Sequence, residues 1–269
     1  MAQFNFKDKV ILITGASSGI GRELAKQLAA QGAWLSLAAR NAERLEAAKT
    51  ECEQLGGRAI AIPTDVSISE QCKLLVHRSV DEFGRIDALV NNAGITMWAK
   101  FDEVEDLAFF EKIMQVNYFG SLYCTQYALP YLKQTKGLIV GNSSLAGKTG
   151  VPTRSAYAAS KHAMAGFFDS LRVELAPSGV AVTMIYPGFV TSEVRQRAFG
   201  PDGKPLGASP VRESEVMPVE ECARLIVRAM SRRQREMVMT LRGKLGLWLK
   251  LIAPDLVDRI ASQAIESGR

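Results

Sequence analysis

The chain is poor in the residues that bind metals or form disulfides. Its 269 residues include four cysteines and two histidines. The cysteines, at positions 52, 72, 124 and 222, show no CxxC spacing, and His77 and His162 have no partners at metal-ligand spacing. Disulfides, a zinc cluster and any other metal site are therefore not expected. We interpret the cysteines as small core residues or free thiols, and both histidines as structural.

Long apolar runs and long basic tracts are also missing. No uninterrupted apolar run reaches the roughly eighteen residues that indicate a membrane span, and the first residues lack the apolar core of a secretory signal. We therefore expect a soluble, cytoplasmic protein. The formal net charge of +5 favours anionic partners, but without zinc-finger spacing or a basic tract it does not indicate nucleic acid. A phosphorylated cofactor would be a sufficient anion.

Short apolar runs alternate with longer amphipathic stretches along the chain. Such a pattern indicates a parallel sheet covered on both faces, and 47% hydrophobic residues can form a substantial core. We predict an α/β fold in a single domain, residues 1–269, with a doubly wound, Rossmann-like parallel sheet of about seven strands and helices on both faces. Strands are predicted to begin near residues 10, 33, 59, 86, 138, 180 and 237, and helices to cover residues 20–31, 43–55, 70–83, 108–132, 155–176 and 219–230.

The first predicted strand runs into the segment TGASSGIG, residues 14–21, which contains three glycines. Glycine permits a tight turn and a close backbone approach. The N-terminus of the following helix offers unpaired N–H groups and a positive dipole end to a pyrophosphate. The spacing GxxxGxG differs from the GxGxxG form of the general fingerprint. Its position between a strand and an amphipathic helix nevertheless predicts a phosphate-binding turn.

The end of the second predicted strand carries Ala39 and Arg40. An NAD-binding chain usually has an acidic residue here, which binds the ribose 2′-hydroxyl. Alanine removes the carboxylate that would repel a 2′-phosphate, and Arg40 supplies a planar fork suited to phosphate. The sequence therefore favours NADP(H) over NAD(H). The structural alternative is an arginine that caps the strand end or pairs with Glu43.

Further polar motifs follow predicted strands. NNAG at residues 91–94 closes the fourth strand, the serine pair at 143–144 closes the fifth, and PG at 187–188 closes the sixth. The carboxyl ends of parallel strands meet at one edge of the sheet, where open α/β sheets bind ligands. We therefore expect these separate segments to converge on one pocket.

Tyr157 and Lys161 lie four residues apart in the segment SAYAASK, residues 155–161. On a helix this spacing places both side chains on one face. A neighbouring cation favours the ionised form of a phenol, which would let a tyrosine exchange protons near neutrality. Taken alone, the spacing is equally compatible with a solvated lysine beside a packed ring.

Taken together, these motifs resemble those of the short-chain dehydrogenases/reductases. The resemblance rests on TGxxxGIG, NNAG, an asparagine in the central helix, a serine with YxxxK, and PG followed by threonine, and it covers about residues 7–240. It implies an NADP(H)-dependent oxidoreductase with four catalytic residues. Ser144, rather than Ser143, would polarise a substrate carbonyl, Tyr157 would supply the proton, Lys161 would stabilise the phenolate and hold the nicotinamide ribose, and Asn117 would hold a water of the proton relay.

The same resemblance implies the cofactor contacts. Asp65 and Val66 would meet the adenine, Asn91 would steady the central sheet and the cofactor, and the segment 185–191 would meet the nicotinamide end. The cofactor-binding residues are thus predicted to be Gly15, Ser17, Ser18, Gly19, Ile20, Gly21, Arg40, Asp65, Val66, Asn91, Ala93, Gly94, Tyr157, Lys161, Pro187, Gly188, Val190 and Thr191.

Residues 154–163 and 167–174 resemble the dehydrogenase/reductase member 7 group, neighbours of the 11β-hydroxysteroid dehydrogenases. This similarity implies a lipophilic carbonyl or alcohol substrate that is steroid-like, long-chain or aromatic. One alternative is a catalytically silent NADP(H)-binding regulator or scaffold, against which the four catalytic residues argue. Another, a sugar-nucleotide epimerase or dehydratase, is disfavoured by the glycine spacing and the short C-terminal region. The pocket candidates, each of which could instead be ordinary packing, are Met97, Trp98, Leu145, Val151, Tyr186, Phe189 and Phe199.

Two further segments each have more than one interpretation. Residues 188–217, rich in glycine, proline and charge, are predicted to form a loop over the site or a solvated connection. The predicted helical tail, residues 241–269, combines Arg242, Lys244 and Lys250 with apolar side chains, which suits a bilayer surface and would make the protein membrane-associated. The same apolar face could pack on a sister subunit, in a homodimer or homotetramer, or on the sheet. Pro254 is expected to break or kink the tail.

Overall fold

The computed structural model describes residues 4–191, 193–209 and 216–266. Its centre is a sheet of seven strands in the order β3-β2-β1-β4-β5-β6-β7, and all neighbouring strands are parallel, which confirms the predicted fold. The strand order reverses between β1 and β4, and a ligand crevice forms at such a point beyond the carboxyl ends of the strands. The strands are β1 (Val10–Thr14), β2 (Trp34–Ala39), β3 (Arg58–Pro63), β4 (Ala88–Asn91), β5 (Leu138–Asn142), β6 (Ala181–Tyr186) and β7 (Glu236–Val238).

Helices connect the strands and cover both faces of the sheet. They are α1 (Gly19–Ala29), α2 (Ala42–Gln54), α3 (Ser69–Phe83), α4 (Ala108–Met114), α5 (Gly120–Thr135), α6 (Ser155–Leu175), α7 (Val219–Ser231), α8 (Leu241–Ile252) and α9 (Pro254–Glu266). Short 3₁₀ turns lie at Phe101–Glu103, Leu145–Gly147 and Ala176–Ser178.

Alternate residues of each central strand enter two different cores. Ile11 and Ile13 of β1 pack with α1, α2 and α7 on one face, whereas Leu12 packs with α3, α5 and α6 on the other. All five residues of β1 are buried. The two-residue period of the strand therefore appears in the sequence as a continuous apolar run, because both faces of a parallel sheet are covered.

The helix predicted over residues 108–132 is interrupted by a π-helical turn. Helix α4 continues through Gln115–Phe119 in π geometry into α5. The Oγ of Ser121, at the start of α5, donates a hydrogen bond to the carbonyl oxygen of Asn117 in this segment at 2.8 Å. A π turn inserts one extra residue into the helix and changes the direction of the side chains around it. Asn117 lies in this turn and is fully buried.

The amino edge of the sheet is tied by a buried carboxylate. Asp87, which precedes β4, accepts a hydrogen bond from the backbone N–H of Val10 at 3.0 Å and forms ion pairs with Arg85 and Lys9 at 2.6 and 3.4 Å. These bonds satisfy a charge that would otherwise be expensive to bury. Polar groups at this edge therefore serve the register of β1 and β4.

The cysteines lie in the hydrophobic cores, in agreement with their interpretation as small core residues or free thiols. All four are buried and unpaired. Burial raises the pKa of the Cys52 and Cys222 thiols to about 12 in each case, so they stay protonated at neutral pH. Such thiols act as small hydrophobic groups.

The tail forms two helices, and Pro254 begins the second of them, α9. Proline suits the first turn of a helix because it has no N–H to donate there. Helix α8 exposes an apolar face, so packing on the sheet does not account for that face. None of the helices in the described ranges is long and apolar enough to cross a membrane. The most exposed apolar side chains of the tail are Leu241, Leu245, Trp248, Leu251 and Ile252.

Candidate active site

The glycine-rich turn between β1 and α1 has the geometry that its sequence predicts. Gly15 and Gly19 have φ angles of +67° and +52°, a region that favours glycine. A Cβ on Gly21 would lie 2.3 Å from the carbonyl oxygen of Gly15, so α1 packs directly on the turn. Ser18 is the N-cap of α1, but its side chain makes no capping hydrogen bond. The first N–H groups of the helix are therefore suited to an anion.

A second loop holds this turn in place. The side-chain amide of Asn92 donates to the carbonyl oxygens of Thr14 and Gly15 at 2.9 and 3.3 Å. The Oγ1 of Thr14 in turn accepts from the backbone N–H groups of Asn92 and Ala93 at 2.9 and 3.0 Å. The loop after β4 is thus bonded to the turn after β1. Asn92 belongs to the NNAG motif, but the sequence pattern alone predicts no role for its side chain.

Asn91 and Gly94 contact different parts of the molecule. The Nδ2 of Asn91 donates to the Oγ1 of Thr125 at 3.0 Å, which ties β4 to α5. Gly94 lies close to the catalytic candidates, because a Cβ built on it would be 3.3 Å from the Oδ1 of Asn117 and 3.6 Å from the Nζ of Lys161. Asn91 therefore steadies the sheet through a helix, and Gly94 leaves room beside the lysine.

Arg40 follows β2 and is exposed at the carboxyl edge of the sheet. The alternative pairing with Glu43 is not formed, and no other ion pair to Arg40 lies within the described ranges. Glu51 pairs with Arg22 at 2.6 Å and Glu193 with Arg44 at 2.7 Å, so these two carboxylates have other partners. The Arg40 guanidinium is thus available to an anionic ligand.

The adenine candidates Asp65 and Val66 follow β3. An Oδ1 of Asp65 accepts from the N–H and Oγ of Ser67 at 3.0 and 2.6 Å, which closes a turn. Val66 is buried against Gly120 of α5. Both positions lie at the same sheet edge as the glycine turn, as the resemblance requires.

The π turn places Asn117 between the loop after β4 and helix α6. Its Oδ1 accepts from the N–H of Ile95 at 2.9 Å, and its Nδ2 donates to the carbonyl oxygen of Ile95 at 3.0 Å. The Nδ2 also donates to the Oγ of Ser160 at 2.9 Å, and Ser160 donates to the carbonyl oxygen of Tyr157. Asn117 therefore joins the loop after β4 to the first turns of α6.

The two serines after β5 have different surroundings. The Oγ of Ser143 donates to the carbonyl oxygen of Lys161 at 3.3 Å, so this hydroxyl faces the backbone of α6. The Oγ of Ser144 accepts a hydrogen bond from the N–H of Ala146 at 3.2 Å. An accepting hydroxyl keeps its own proton for donation. This geometry favours Ser144 as the donor to a substrate oxygen.

Tyr157 and Lys161 share a face of α6, as their spacing predicts. The Nζ of Lys161 lies 5.8 Å from the centroid of the Tyr157 ring and donates to the carbonyl oxygen of Asn142 at 2.8 Å. Burial lowers the pKa of the Lys161 ammonium, while Tyr157 raises it and Arg154 lowers it further. Asn142, which sequence reasoning did not include, also donates through its Nδ2 to the Oδ1 of Asn92 at 2.8 Å.

The segment after β6 lies beside Ser144. The N–H of Leu145 donates to the carbonyl oxygen of Pro187 at 2.9 Å, and a Cβ on Gly188 would lie 3.7 Å from a methyl group of Leu145. Val190 forms an isolated bridge with Met217, and the N–H of Thr191 donates to the carbonyl oxygen of Met217. The described part of the loop 188–217 therefore has backbone contacts of its own.

Two of the pocket candidates are wrong, because they are fully buried in cores. Met97 packs with Phe109 and Ile113, and Tyr186 lies in the core beneath α6. Trp98 and Phe189, in contrast, are partly exposed and contact each other with ring centroids 6.3 Å apart. Leu145, Val151 and Phe199 are also partly exposed.

The chain is similar to known proteins over most of its length. A family model described as short chain dehydrogenase matches residues 9–201. The 11-beta-hydroxysteroid dehydrogenase 1A of Arabidopsis thaliana is 38% identical over 261 residues, which cover 94% of this chain and 74% of that protein. The dehydrogenase/reductase SDR family protein 7-like of Dictyostelium discoideum is 35% identical over 270 residues, covering 98% and 84%. These relatives confirm the predicted resemblance.

A solved structure supports the fold. The alcohol dehydrogenase from the archaeon Thermococcus sibiricus, complexed with 5-hydroxy-NADP, superposes with a TM-score of 0.74 and 26% sequence identity. The match covers 85% of this chain and 94% of that chain.

The packing of Gly21 leads to a test of the phosphate-binding turn. Gly21→Ala is expected to displace the turn, weakening binding of the nicotinamide cofactor about tenfold or more and lowering the free energy of unfolding by about 1–3 kcal/mol. Gly166→Ala is the matched control, since Gly166 is an exposed glycine of α6 with open space around it; it should stabilise the protein by about 0.5–1 kcal/mol. Fluorescence titration with NADPH and urea unfolding measure both effects, and equal cofactor affinity in the two variants would contradict the assignment.

Proposed function

Because the chain belongs to the short chain dehydrogenase family, we propose that it is an NADP(H)-dependent oxidoreductase that interconverts a carbonyl and an alcohol on a lipophilic substrate. The observation that carries this proposal is the placement of the Lys161 ammonium beside Gly94 and 5.8 Å from the centroid of the Tyr157 ring, at the sheet edge that also carries the glycine-rich turn. A proton donor beside a dinucleotide crevice is the arrangement that carbonyl reduction requires.

The residues at this edge fit a dinucleotide phosphate. The uncapped N-terminus of α1 would hold the pyrophosphate, and the turn has no space for a side chain at Gly21. Arg40 would bind a 2′-phosphate, since it is exposed and lacks an acidic partner among the described residues. The complex of the archaeal alcohol dehydrogenase with 5-hydroxy-NADP supports the same preference. When bound, a reduced nicotinamide supplies a hydride to the carbonyl carbon.

Side chains of the protein would polarise the carbonyl and transfer the proton. Ser144, which accepts from Ala146, would donate its proton in a hydrogen bond to the carbonyl oxygen and stabilise the charge that develops there. Tyr157 would transfer its phenolic proton to that oxygen, which completes the alcohol. Lys161 would stabilise the resulting phenolate, and Asn117 would orient the relay that returns a proton.

The lipophilic substrate is inferred from the side chains near the site and from the relatives. Trp98 and Phe189 flank the guanidinium of Arg154, which lies over the Tyr157 ring. Leu145 follows Ser144 directly, and all three apolar side chains are partly exposed. Apolar walls with a few convergent polar groups are typical of sites for small lipophilic molecules. Several similar curated proteins are named as 11-beta-hydroxysteroid dehydrogenases, which supports a steroid-like, long-chain or aromatic substrate.

Removal of the phenolic hydroxyl tests the proton donor. Tyr157→Phe is expected to lower turnover by about 10²–10⁴-fold, the usual contribution of a general acid, while leaving NADPH affinity within about threefold. Nicotinamide absorbance, followed with steroids, long-chain ketones and aromatic aldehydes, measures the loss. Tyr131→Phe on α5 is the control and should leave turnover unchanged. Turnover by Tyr157→Phe at the native rate would contradict the assignment.

Arg40 tests the cofactor preference. Arg40→Ala should weaken NADPH binding by about 10–100-fold, the range for a charge-assisted hydrogen bond, and change NADH binding little, because NADH has no 2′-phosphate. Arg58→Ala at the opposite edge of the sheet is the control, since Arg58 lies over the Trp34 ring and near Glu82. Equal losses for both cofactors in Arg40→Ala would exclude the proposed role.

We also propose that α8 contacts an anionic membrane surface. The helix carries Arg242, Lys244 and Lys250 and no acidic residue, and it exposes Trp248 and Leu251 to 73% and 75%. Cations beside an exposed tryptophan suit the headgroup region of a bilayer, where positive charge is attracted to anionic lipid.

Vesicle binding tests the role of α8. Trp248→Glu should reduce co-sedimentation with phosphatidylserine-containing vesicles at least tenfold, because it adds a negative charge to the apolar face. Phe101→Glu, at another exposed aromatic residue, should leave binding unchanged. If Trp248→Glu instead alters only the oligomeric mass, the face is covered by a second copy of the chain and the membrane role is wrong.

A further inference from the structure

Arg154 is a buried cation that the proposed mechanism does not use. It lies at the N-cap of α6 and is 8% exposed. Its Nη2 donates to the Oγ1 of Thr96 at 2.7 Å, while its Nε is buried without a hydrogen-bond partner. A buried guanidinium nitrogen with no partner is unusual, because buried polar groups are nearly always hydrogen-bonded.

The guanidinium of Arg154 also has no carboxylate partner in the described ranges. Burial lowers its pKa, and the charged groups that act on it are Tyr157, which raises the pKa, and Arg195, which lowers it. An unpaired buried cation is costly. The ionisable group that could become its counter-charge is therefore the phenol of Tyr157.

The guanidinium lies over the face of that phenol. The Cζ of Arg154 is 4.3 Å from the centroid of the Tyr157 ring, 5.8 Å from that of Trp98 and 5.6 Å from that of Phe189. A cation over an aromatic face is attracted to the neutral ring. Loss of the phenolic proton places a full negative charge on the ring and its oxygen, so the attraction then becomes one between two ions. The aromatic surroundings exclude water and strengthen it.

We propose that Arg154 is a positioning residue that, together with Lys161, stabilises the phenolate form of Tyr157. This inference rests on the proposed function, in which Tyr157 exchanges a proton with the substrate. It assigns the tyrosine two cations, one over its ring and one four residues further along α6, where the YxxxK motif contains only the second.

Among the described residues, the hydrophobic cluster packed against this tyrosine is apolar. From α4, Phe109 and Ile113 pack near its ring, whereas the charged residues of that helix, Glu111 and Lys112, are exposed. Within the described residues, neither Arg154 nor Lys161 has a carboxylate within ion-pair distance, and Arg195 adds a further positive charge near Arg154. Arg154 and Lys161 are therefore not neutralised by a carboxylate among the described residues.

The experiment measures the ionisation of Tyr157 directly, without substrate. Tyrosinate absorbance is titrated in the native protein, Arg154→Met and Arg154→Lys, and each trace is compared with the same protein carrying Tyr157→Phe. In Arg154→Met the phenolate signal of Tyr157 at a fixed sub-saturating pH should fall about tenfold, and the pH profile of turnover should move about one unit upward. Arg154→Lys keeps the charge and should restore most of the signal.

A second, milder variant keeps the proposal testable if Arg154→Met does not fold. Thr96→Val keeps the guanidinium but removes the hydrogen bond that positions it, and should give a smaller loss of phenolate in the same direction. NADPH binding confirms that each variant is folded. A merely structural role for Arg154 would lower thermal stability and leave the pH profile in place.

The outcomes separate this inference from the proposed function. A phenolate signal that is present in the native protein and unchanged in both Arg154→Met and Thr96→Val overturns the role of Arg154 alone. An unchanged pH profile with a raised KM for anionic substrates only would show that the guanidinium binds the substrate. That result also overturns the proposed role of Arg154 on Tyr157. Absence of a Tyr157 phenolate signal from the native protein overturns both the inference and the proton-donor assignment.

Discussion

A chain of hydrogen bonds links the glycine-rich turn to the buried lysine. Asn92 bonds to the backbone of Thr14 and Gly15, Asn142 bonds to Asn92, and Lys161 bonds to the carbonyl oxygen of Asn142. These contacts join the carboxyl ends of β1, β4 and β5 to α6. The position of the ammonium relative to the phosphate-binding turn is therefore fixed by amide groups, which have little freedom once they are buried and bonded.

The site concentrates positive charge where little water can reach. Lys161 and Arg154 are both buried, and burial lowers the pKa of each. Several polar atoms close by, including the Oδ1 of Asn142 and the Nε of Arg154, are buried without a hydrogen-bond partner. Buried polar groups without partners lower the free energy of unfolding, so stability alone does not explain their presence. Their presence at one edge of the sheet is consistent with a site that binds a negatively charged ligand and stabilises an anion during turnover.

Much of this architecture could be predicted because its signals are local. A strand buried on both faces leaves a continuous apolar run, and Tyr157 and Lys161 share a helix face because they are four residues apart. Arg154, Thr96 and Asn142 could not be recognised this way, since their roles depend on contacts between distant segments. The burial of Met97 and Tyr186 likewise depends on which elements cover them. The π turn at Asn117 has no local pattern that distinguishes it from an ordinary helix.

The start of the tail connects the exposed helix to the site. A Cβ on Gly243, in the first turn of α8, would lie 2.9 Å from the methyl groups of Leu145, and a Cβ on Gly188 would lie 3.7 Å from Thr240. Leu145 follows Ser144 directly, so α8 begins in contact with the loop that carries the proposed carbonyl-polarising hydroxyl. The exposed apolar face of α8 and the loop that carries Ser144 are therefore connected through the first turn of one short helix, so a side chain added at Gly243 would disturb Leu145 and the start of the tail together.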